Sequence, residues 1–319
     1  MSGKMIVAFA TGCWLAPSAY ELIGEHYDRV DEDRVSEADG LYCDSFCPRR
    51  IDAAYLDRAP KLRVISTATV GYDNIDIDEC TRRSIAVSNS RGSLTEAAAD
   101  VALLHIISAY RHVGESAAWA RDGRWLKGPA PIGDDLAGST LGIVGMGAIG
   151  MAVAKRARAG GMTIIYHNRN RRGDDSDVAA RYVSFEELLR TADCIVVTLP
   201  LNDETSGMFG TAQFAAMTKS PYFVNIARGK IVDTGALYDA LVAKQIAGAA
   251  LDVTDPEPLP PDHPLASLPN VFVTPHIGSA TRQTRERMSL YAAYNLLAGL
   301  GGKPLPQIVN PAVYESAIG

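Results

Sequence analysis

The feature that most constrains the fold is the alternation of short apolar, β-branched runs with helix-like stretches along almost the whole chain. Such runs are typical of strands that are buried on both faces of a parallel sheet and covered by helices. Two series of this kind are present, and a long apolar helical segment over 95–112 separates them. For 319 residues we therefore predict an α/β protein of two domains.

The first series contains few strands for an independent sheet. We therefore expect the C-terminal segment after a last predicted helix, 281–297, to return to this domain and complete its sheet, which would make the domain discontinuous. Helices are predicted over 18–27 and 51–57. The predicted strands are Lys4–Ala10, Gly40–Cys43, Arg63–Ala68 and Ile85–Ser88.

The second series has the strand–helix alternation that is typical of a doubly wound parallel sheet, since each apolar run is followed by a helical pattern. Its strands are predicted at Thr140–Gly145, Thr163–Tyr166, Cys194–Leu199, Tyr222–Ile226, Gly248–Val253 and Val271–Thr274.

A glycine-rich turn follows the first strand of this series and has the form G-x-G-x-x-G. Gly145 permits a tight turn, Gly147 leaves room for a pyrophosphate, and Gly150 lets the next helix pack closely on the strand. Phosphates would bind at the N-terminus of that helix, where Ala148 and Ile149 lie. A strand before the turn and a helix after it favour a dinucleotide site over an ordinary turn.

The next strand ends without the carboxylate that commonly binds the ribose 2'-hydroxyl of NAD. Asn168 occupies that position and Arg169 follows it, with two more arginines close behind. Guanidinium groups bind a 2'-phosphate well, so we predict NADP(H) as the preferred cofactor, with NAD(H) as the alternative. A solvated basic turn is the other interpretation.

Three polar side chains follow three strands of the second series: Arg228, Glu257 and His276. Ligands bind beyond the carboxyl ends of such strands, so we expect these side chains to converge. His276 would protonate an alkoxide, Glu257 would stabilise the imidazolium, and Arg228 would bind a carboxylate and polarise a carbonyl. Taken singly, each also fits a structural role in a turn, a loop or the core.

Composition excludes several other classes. The net charge of -6 gives no cationic field for nucleic acid, and no apolar run is long enough for a membrane span. The five cysteines are odd in number and widely spread, which argues against a disulfide framework. Cys43 and Cys47 lack further ligands at metal spacing, so we predict no metal site. We expect a cytoplasmic protein.

The chain resembles the D-isomer-specific 2-hydroxyacid dehydrogenase family over nearly its whole length. Its segment 138–147 and its Asn-Arg turn are most similar to the glyoxylate/hydroxypyruvate reductase and 2-ketogluconate reductase branch. The segments that carry the resemblance are Val70–Asp76, Leu94–Asp100, Thr140–Gly150, Leu199–Leu201, Asn225–Gly229, Ala250–Val253, Glu257–Pro260 and Pro275–Thr281.

This resemblance implies two Rossmann-like domains with a cleft between them, and a homodimer built through the nucleotide domain. A flavodoxin-like substrate domain would comprise residues 1–98 and 284–319, and a doubly wound nucleotide-binding domain residues 99–283. The activity implied is reduction of a small 2-oxo acid to a 2-hydroxy acid. NAD-dependent oxidation, as in phosphoglycerate or formate dehydrogenases, and a nucleotide-sensing scaffold like the related corepressors are the alternatives.

The resemblance also assigns roles to matched positions. Arg228 would bind substrate, His276 would be the acid/base with Glu257 as its partner, and the backbone N–H groups of Val70 and Gly71 would bind the substrate carboxylate. Asp252 would hold the nicotinamide amide. Further cofactor contacts are expected from Thr95, Leu199, Pro200, Thr205, Ile226, Ala227, His276 and Gly278.

Three features receive no assigned role from the family pattern. Arg91 replaces a proline that many relatives have, and it is either solvated or in contact with a polar substrate tail. Trp119 and Trp125 lie in a segment that could reach across a dimer. The loop over 42–48, like the loop over 90–93, belongs to the segments that would set substrate size.

Overall fold

The computed structural model describes residues 4–10, 16–43 and 49–317. The chain divides into two compact units, Met1–Leu94 with Ala280–Gly319, and Thr95–Ser279. The sequence-based boundaries at 98 and 284 differ from these by four residues each. No helix in the described part of the chain is long and apolar enough to span a bilayer.

The first unit contains a five-stranded parallel sheet in the order β2-β1-β3-β4-β5. This 2-1-3-4-5 order is the flavodoxin-like one, which confirms the predicted fold class. Its strands are β1 (Ile6–Ala10), β2 (Asp28–Asp31), β3 (Gly40–Cys43), β4 (Val64–Thr67) and β5 (Ala86–Ser88). Its helices are α1 (Pro17–His26), α2 (Ala53–Asp57), α3 (Ile77–Arg82) and α11 (Arg282–Leu300), with 3-10 turns at Glu32–Glu37 and Pro311–Ala317.

The expectation that the C-terminal tail completes this sheet is wrong, because β2 is the fifth strand. This strand has the sequence DRVD and pairs with β1 at the sheet edge, so it lacks the apolar run of a central strand. The C-terminal segment does return to the unit. Ala292 and Leu296 of α11 pack in its core, and Ile308 forms an isolated antiparallel bridge to Ser88.

The second unit has a seven-stranded parallel sheet in the order β12-β11-β10-β9-β6-β7-β8. Numbered within the unit, this is the doubly wound order 3-2-1-4-5-6 with one added strand, as predicted. The strands are β6 (Thr140–Val144), β7 (Thr163–His167), β8 (Arg181–Tyr182), β9 (Cys194–Val197), β10 (Tyr222–Asn225), β11 (Gly248–Leu251) and β12 (Val271–Val273). The two-residue edge strand β8 was not predicted, since it has no apolar run.

Helices cover both faces of this second sheet. They are α4 (Thr95–Tyr110), α5 (Val113–Arg121), α6 (Ala148–Ala159), α7 (Phe185–Thr191), α8 (Thr211–Ala215), α9 (Thr234–Val242) and α10 (Pro264–Ser267), with 3-10 turns at Arg124–Leu126, Asp175–Val178 and Gly229–Ile231.

The core of the second unit lies on the two faces of its sheet, because successive strand residues point to opposite sides. In β9, Ile195 and Val197 belong to one apolar cluster, while Cys194 and Val196 belong to the other. All four of these residues are buried. This double burial holds the carboxyl ends of the strands, and the loops that follow them, on a rigid base.

The long helix α4 is shorter than predicted. It ends at Tyr110, and His112 has a left-handed backbone with φ of 47°, after which α5 begins. One side of α4 packs against α6 and the sheet through small and apolar residues. Leu104 and Ile107 are instead exposed within this unit.

Candidate active site

Arg228 lies in the turn after β10, and the buried side chain of Asn225 shapes that turn. Asn225 Oδ1 accepts a hydrogen bond of 3.0 Å from the backbone N–H of Ala227, and its Nδ2 donates one of 2.9 Å to the carbonyl of Arg228. The last residue of the strand thereby fixes the backbone that presents the guanidinium.

The turn after β10 contacts the loop after β11 at close range. A Cβ at Gly229 would overlap the carbonyl of Thr254 and approach Asp255 N to 2.6 Å, so no larger residue fits between the two backbones. The same loop continues to Glu257. Arg228 and Glu257 are thus carried by two loops in direct backbone contact, at the carboxyl ends of neighbouring strands.

His276 and Glu257 form a hydrogen-bonded pair, with 2.7 Å between Nδ1 and Oε1. Each side chain is about one third exposed. Burial acts to raise the pKa of Glu257, but the hydrogen bond and charge of His276, a backbone bond from Thr254 and the charge of Arg228 together hold it below its usual value. The carboxylate is therefore ionised near neutral pH, which suits it to orient an imidazole and to stabilise its charged form.

The backbone of His276 is left-handed, with φ of 52°. Such a conformation costs a non-glycine residue about 1–3 kcal/mol and persists where surrounding contacts enforce it. Here the N–H of His276 donates a 2.9 Å hydrogen bond to the carbonyl of Asp252. The strained residue is thus tied to the end of the neighbouring strand.

The buried carboxylate of Asp252 organises the whole loop around His276. Its Oδ1 accepts from the N–H of Ile277 at 2.8 Å and from the hydroxyl of Thr274 at 2.6 Å, and its Oδ2 accepts from the N–H of Gly278 at 2.8 Å. A carboxylate has about four acceptor positions, so one remains for a further donor. The nicotinamide contact expected of Asp252 stays a prediction.

The three glycines of the turn after β6 differ in what requires them. Gly145 has a left-handed backbone with φ of 105°, and a Cβ there would lie 2.9 Å from Leu199 N. A Cβ at Gly150 would overlap the carbonyl oxygen of Gly145. At Gly147, by contrast, a Cβ would meet no protein atom within 4 Å. Gly145 and Gly150 therefore serve packing, whereas Gly147 borders open space at the N-terminus of α6, as a diphosphate would require.

The turn after β7 is tied to this glycine turn. Asn168 Oδ1 accepts a hydrogen bond of 2.6 Å from the N–H of Met146, and Arg172 Nη1 donates one of 2.9 Å to the carbonyl of Met146. Arg169 is exposed and pairs with Glu204 at 3.1 Å. The Arg172 guanidinium also holds the pKa of Asp174 below its usual range. The basic turn is therefore an ion-paired surface rather than a set of unpaired cations.

The other predicted cofactor residues lie around the same strand ends. Thr205 donates a 2.7 Å hydrogen bond to the carbonyl of Pro200, which fixes the turn after β9, and Leu199 packs beside it against the core. Ile226 and Ala227 directly follow β10. Thr95 is the first residue of α4.

In the first unit, hydrogen bonds fix the loop that contains Val70 and Gly71. Asn89 Nδ2 donates to the carbonyl of Val70 at 2.8 Å, and Thr69 Oγ1 donates to the carbonyl of Gly71 at 2.6 Å. The carbonyls are engaged in these bonds, so the loop presents a defined backbone. Arg91 is exposed, and its N–H bonds to Asn89 Oδ1 at 3.2 Å.

Sequence reasoning missed three polar partners: Glu204, Thr274 and His105. Each contact joins residues far apart in the chain, and the one available signal was the imidazole of His105 within an apolar helix. Within the described ranges no group of His, Cys, Asp and Glu is arranged for a metal ion. Cys43 is buried at the end of β3, whereas Cys47 lies outside the described residues.

The fold and this arrangement define a nucleotide-dependent dehydrogenase of the doubly wound α/β class. The family described as D-isomer specific 2-hydroxyacid dehydrogenase, NAD binding domain, matches residues 103–278. The chain is 43% identical to a glyoxylate reductase of Aeropyrum pernix, over 94% of both chains. It is 44% identical to glyoxylate/hydroxypyruvate reductase B of Klebsiella pneumoniae, over 88% of this chain and 87% of the relative.

A solved structure extends this comparison. The NADPH-dependent glyoxylate/hydroxypyruvate reductase of Sinorhizobium meliloti, in complex with NADP and malonate, superimposes with a TM-score of 0.88 at 28% identity, over 98% of both chains. The chain belongs to the D-isomer-specific 2-hydroxyacid dehydrogenase family and is an oxidoreductase.

Proposed function

We propose that this protein catalyses the NADPH-dependent reduction of small 2-oxo acids to 2-hydroxy acids, with the D configuration where carbon 2 becomes a stereocentre. Glyoxylate and hydroxypyruvate are the first candidate substrates, and 2-ketogluconate is a larger one. The observation that carries the proposal is the 2.7 Å pair of His276 and Glu257, of which Glu257 lies on the loop that contacts the Arg228 turn. The names of the Aeropyrum and Klebsiella relatives support the choice of substrate.

The chemistry follows from the groups that these loops hold. Arg228 would bind the substrate carboxylate and polarise the keto oxygen, together with the backbone N–H groups of Val70 and Gly71. His276 would donate its Nε2 proton to the oxygen as negative charge develops there. Glu257 would keep Nδ1 protonated and the ring correctly oriented. When bound, the dihydronicotinamide supplies the hydride.

The cofactor would lie along the N-terminus of α6, with its diphosphate next to Gly147. The preference for NADPH rests on Asn168, which stands where an NAD-specific site has an acid, and on Arg169 beside it. The pair of Arg169 and Glu204 is exposed, and such pairs are worth about 0–1 kcal/mol, so a 2'-phosphate can replace the carboxylate at little cost. The name of the Sinorhizobium enzyme supports this preference.

We also propose a homodimer formed through the second unit. In its 3-10 turn at Arg124–Leu126, the exposed fraction is 73% for Trp125 and 94% for Leu126. Ile132, six residues further along the chain than Leu126, is 91% exposed. Exposed apolar side chains that together form one patch commonly mark a contact surface. The buried thiols of Cys80 and Cys194 favour a reducing, cytoplasmic location.

The test is a panel of glyoxylate, hydroxypyruvate and 2-ketogluconate, each assayed with NADPH and with NADH. We expect kcat/KM to be higher with NADPH, and His276→Ala to lower kcat by about 100-fold or more. Arg228→Ala should chiefly raise KM for the oxo acid. Arg169→Ala should lower kcat/KM with NADPH but leave it nearly unchanged with NADH.

Two outcomes would contradict the proposal. Near-normal turnover by His276→Ala would remove its assigned role, and a wild-type preference for NADH would remove the cofactor assignment. Ser176→Ala, a conservative change outside the groups assigned to substrate or cofactor, is the matched control and should behave as the wild type.

A further inference from the structure

A largely buried series of hydrogen bonds lies beneath the loop that carries the proposed acid/base. His105 of α4 is fully buried. Its Nδ1 lies 2.8 Å from the carbonyl oxygen of Val101, and its Nε2 lies 2.9 Å from the hydroxyl oxygen of Thr274. That hydroxyl oxygen lies 2.6 Å from Oδ1 of Asp252. Three hydrogen bonds in series thus join a helix to the carboxylate that organises the active-site loop.

This series of three hydrogen bonds needs one hydrogen more than its groups ordinarily carry. A carbonyl oxygen only accepts, so the bond to Val101 requires a hydrogen on Nδ1 of His105. The hydroxyl of Thr274 has a single hydrogen, which can serve either Nε2 or the carboxylate, but not both. A neutral imidazole, a hydroxyl and an ionised carboxylate therefore supply two hydrogens for three bonds.

We propose that His105 and Asp252 together hold one additional proton at neutral pH, shared through the Thr274 hydroxyl, and that His105 is thereby a positioning residue for the loop of His276. The proton is placed either on the imidazole or on the carboxyl group. In both cases the pair has no net charge, which removes the cost of an isolated buried charge.

The surroundings of His105 act on both its charge and its orientation. Burial lowers the pKa of the imidazole and outweighs its bonds to the backbone of Val101 and Leu251 and the charge of Asp252, which act in the opposite direction. The ring also packs against Phe272, with centroids 5.4 Å apart, so it is held in one orientation. A histidine held in this way is a fixed support for the hydroxyl.

The consequence for the active site follows from the other bonds of Asp252. The same carboxylate accepts from two backbone N–H groups at 2.8 Å each: Oδ1 accepts from Ile277, and Oδ2 accepts from Gly278. Any rotation of the carboxylate therefore moves the backbone next to His276. This part of the inference rests on the proposed role of His276, whereas the proton count does not.

The experiment measures protonation directly, without turnover. In protein labelled with ¹⁵N-histidine and ¹³C-aspartate, His105→Leu assigns the ring signals and Asp252→Asn the carboxyl signal. At pH 7 we expect either both ring nitrogens of His105 protonated, or Asp252 carrying the proton. Thr274→Val should abolish the extra proton and Thr274→Ser should keep it. A singly protonated ring beside an ionised Asp252 in the wild type would overturn the proposal.

Kinetics then test the positioning role. Thr274→Val should lower kcat by about tenfold, the loss of one hydrogen bond to a charged group, with the KM for NADPH changed less than about twofold. Ser108→Ala, a buried change on the same helix, should leave kcat as it is. If the extra proton is found but Thr274→Val retains full kcat, His105 is not a positioning residue. An inactive wild type would instead refute the proposed function and leave the proton count standing.

Discussion

Replacing Gly147 by alanine separates cofactor binding from folding, because this glycine has no packing role. A Cβ added there meets no protein atom within 4 Å. The backbone, with φ of -78° and ψ of -160°, is also open to alanine. The new methyl group would nevertheless stand where the diphosphate is expected to approach the N-terminus of α6.

The expected stability change is small. Gly147 is the N-cap of α6, where alanine is worse than glycine by about 0.5–1 kcal/mol. Alanine also reduces the conformational freedom of the unfolded chain, which offsets about 0.4–1 kcal/mol. The two effects nearly cancel, so we expect Tm to change by less than about 3 °C.

The expected loss of affinity is large by comparison. A methyl group against the diphosphate would break one or two hydrogen bonds to a charged acceptor, each worth about 1.5–3 kcal/mol. At about 1.4 kcal/mol per decade, the Kd for NADPH should rise by roughly 10- to 100-fold or more.

Gly150→Ala is the matched control, because its Cβ would overlap the carbonyl oxygen of Gly145 and no rotamer relieves a backbone clash. We expect it to cost about 3 kcal/mol or more and to lower Tm by roughly 5 °C or more. Thermal unfolding by circular dichroism and NADPH titration by calorimetry measure both quantities. Unchanged NADPH affinity in a folded Gly147→Ala protein would refute the placement of the diphosphate.

Two further predictions concern the acid/base pair and the dimer. Glu257→Gln should lower kcat/KM by about 5- to 10-fold at neutral pH, after allowance for solvent screening of this pair, whose side chains are about one third exposed. Because the pKa of Glu257 is held below its usual value, the carboxylate stays ionised as the pH falls to the ordinary pKa of glutamate, about 4.3, and the difference from wild type should persist over that range; a difference that disappears already at pH 6 would contradict the assignment. Leu126→Asp should raise the dimer Kd at least tenfold in analytical ultracentrifugation, whereas Val242→Asp, exposed on α9, should leave it unchanged, and an unaltered dimer in both would exclude this surface.

The apolar pattern was sufficient to predict the central strands, but the edges needed the structure. The interior strands β9, β10 and β11 consist of buried residues throughout, so each has a continuous apolar run in the sequence. Edge strands need only one neighbour and leave side chains in water. The charged sequence of β2 therefore carries no strand signal, which is why the sequence pattern predicts completion of the sheet by the C-terminal segment instead.

The candidate site also has residues that the sequence predicts and residues that only the structure shows. Arg228, Glu257 and His276 were found because each follows a strand, and topology brings the ends of parallel strands to one edge. The contacts between polar partners around the site have no signal in the local sequence. His105 and Thr274 are 169 positions apart, and Arg169 and Glu204 are 35 apart, so only the folded chain shows that they meet.

The strained backbone of His276 connects these observations. A left-handed histidine costs about 1–3 kcal/mol, and the bonds that hold it in this conformation end mainly on Asp252. The carbonyls of Asp252 and Thr274 both accept from the N–H of His276, and the carboxylate of Asp252 accepts from the N–H groups of the next two residues. Asp252 is itself the first residue after a fully buried strand and is almost completely buried. The imidazole is therefore positioned by the core of the second unit rather than by the loop alone. For this reason Thr274→Val, a change beneath the loop that leaves His276 and Glu257 intact, is expected to act on kcat.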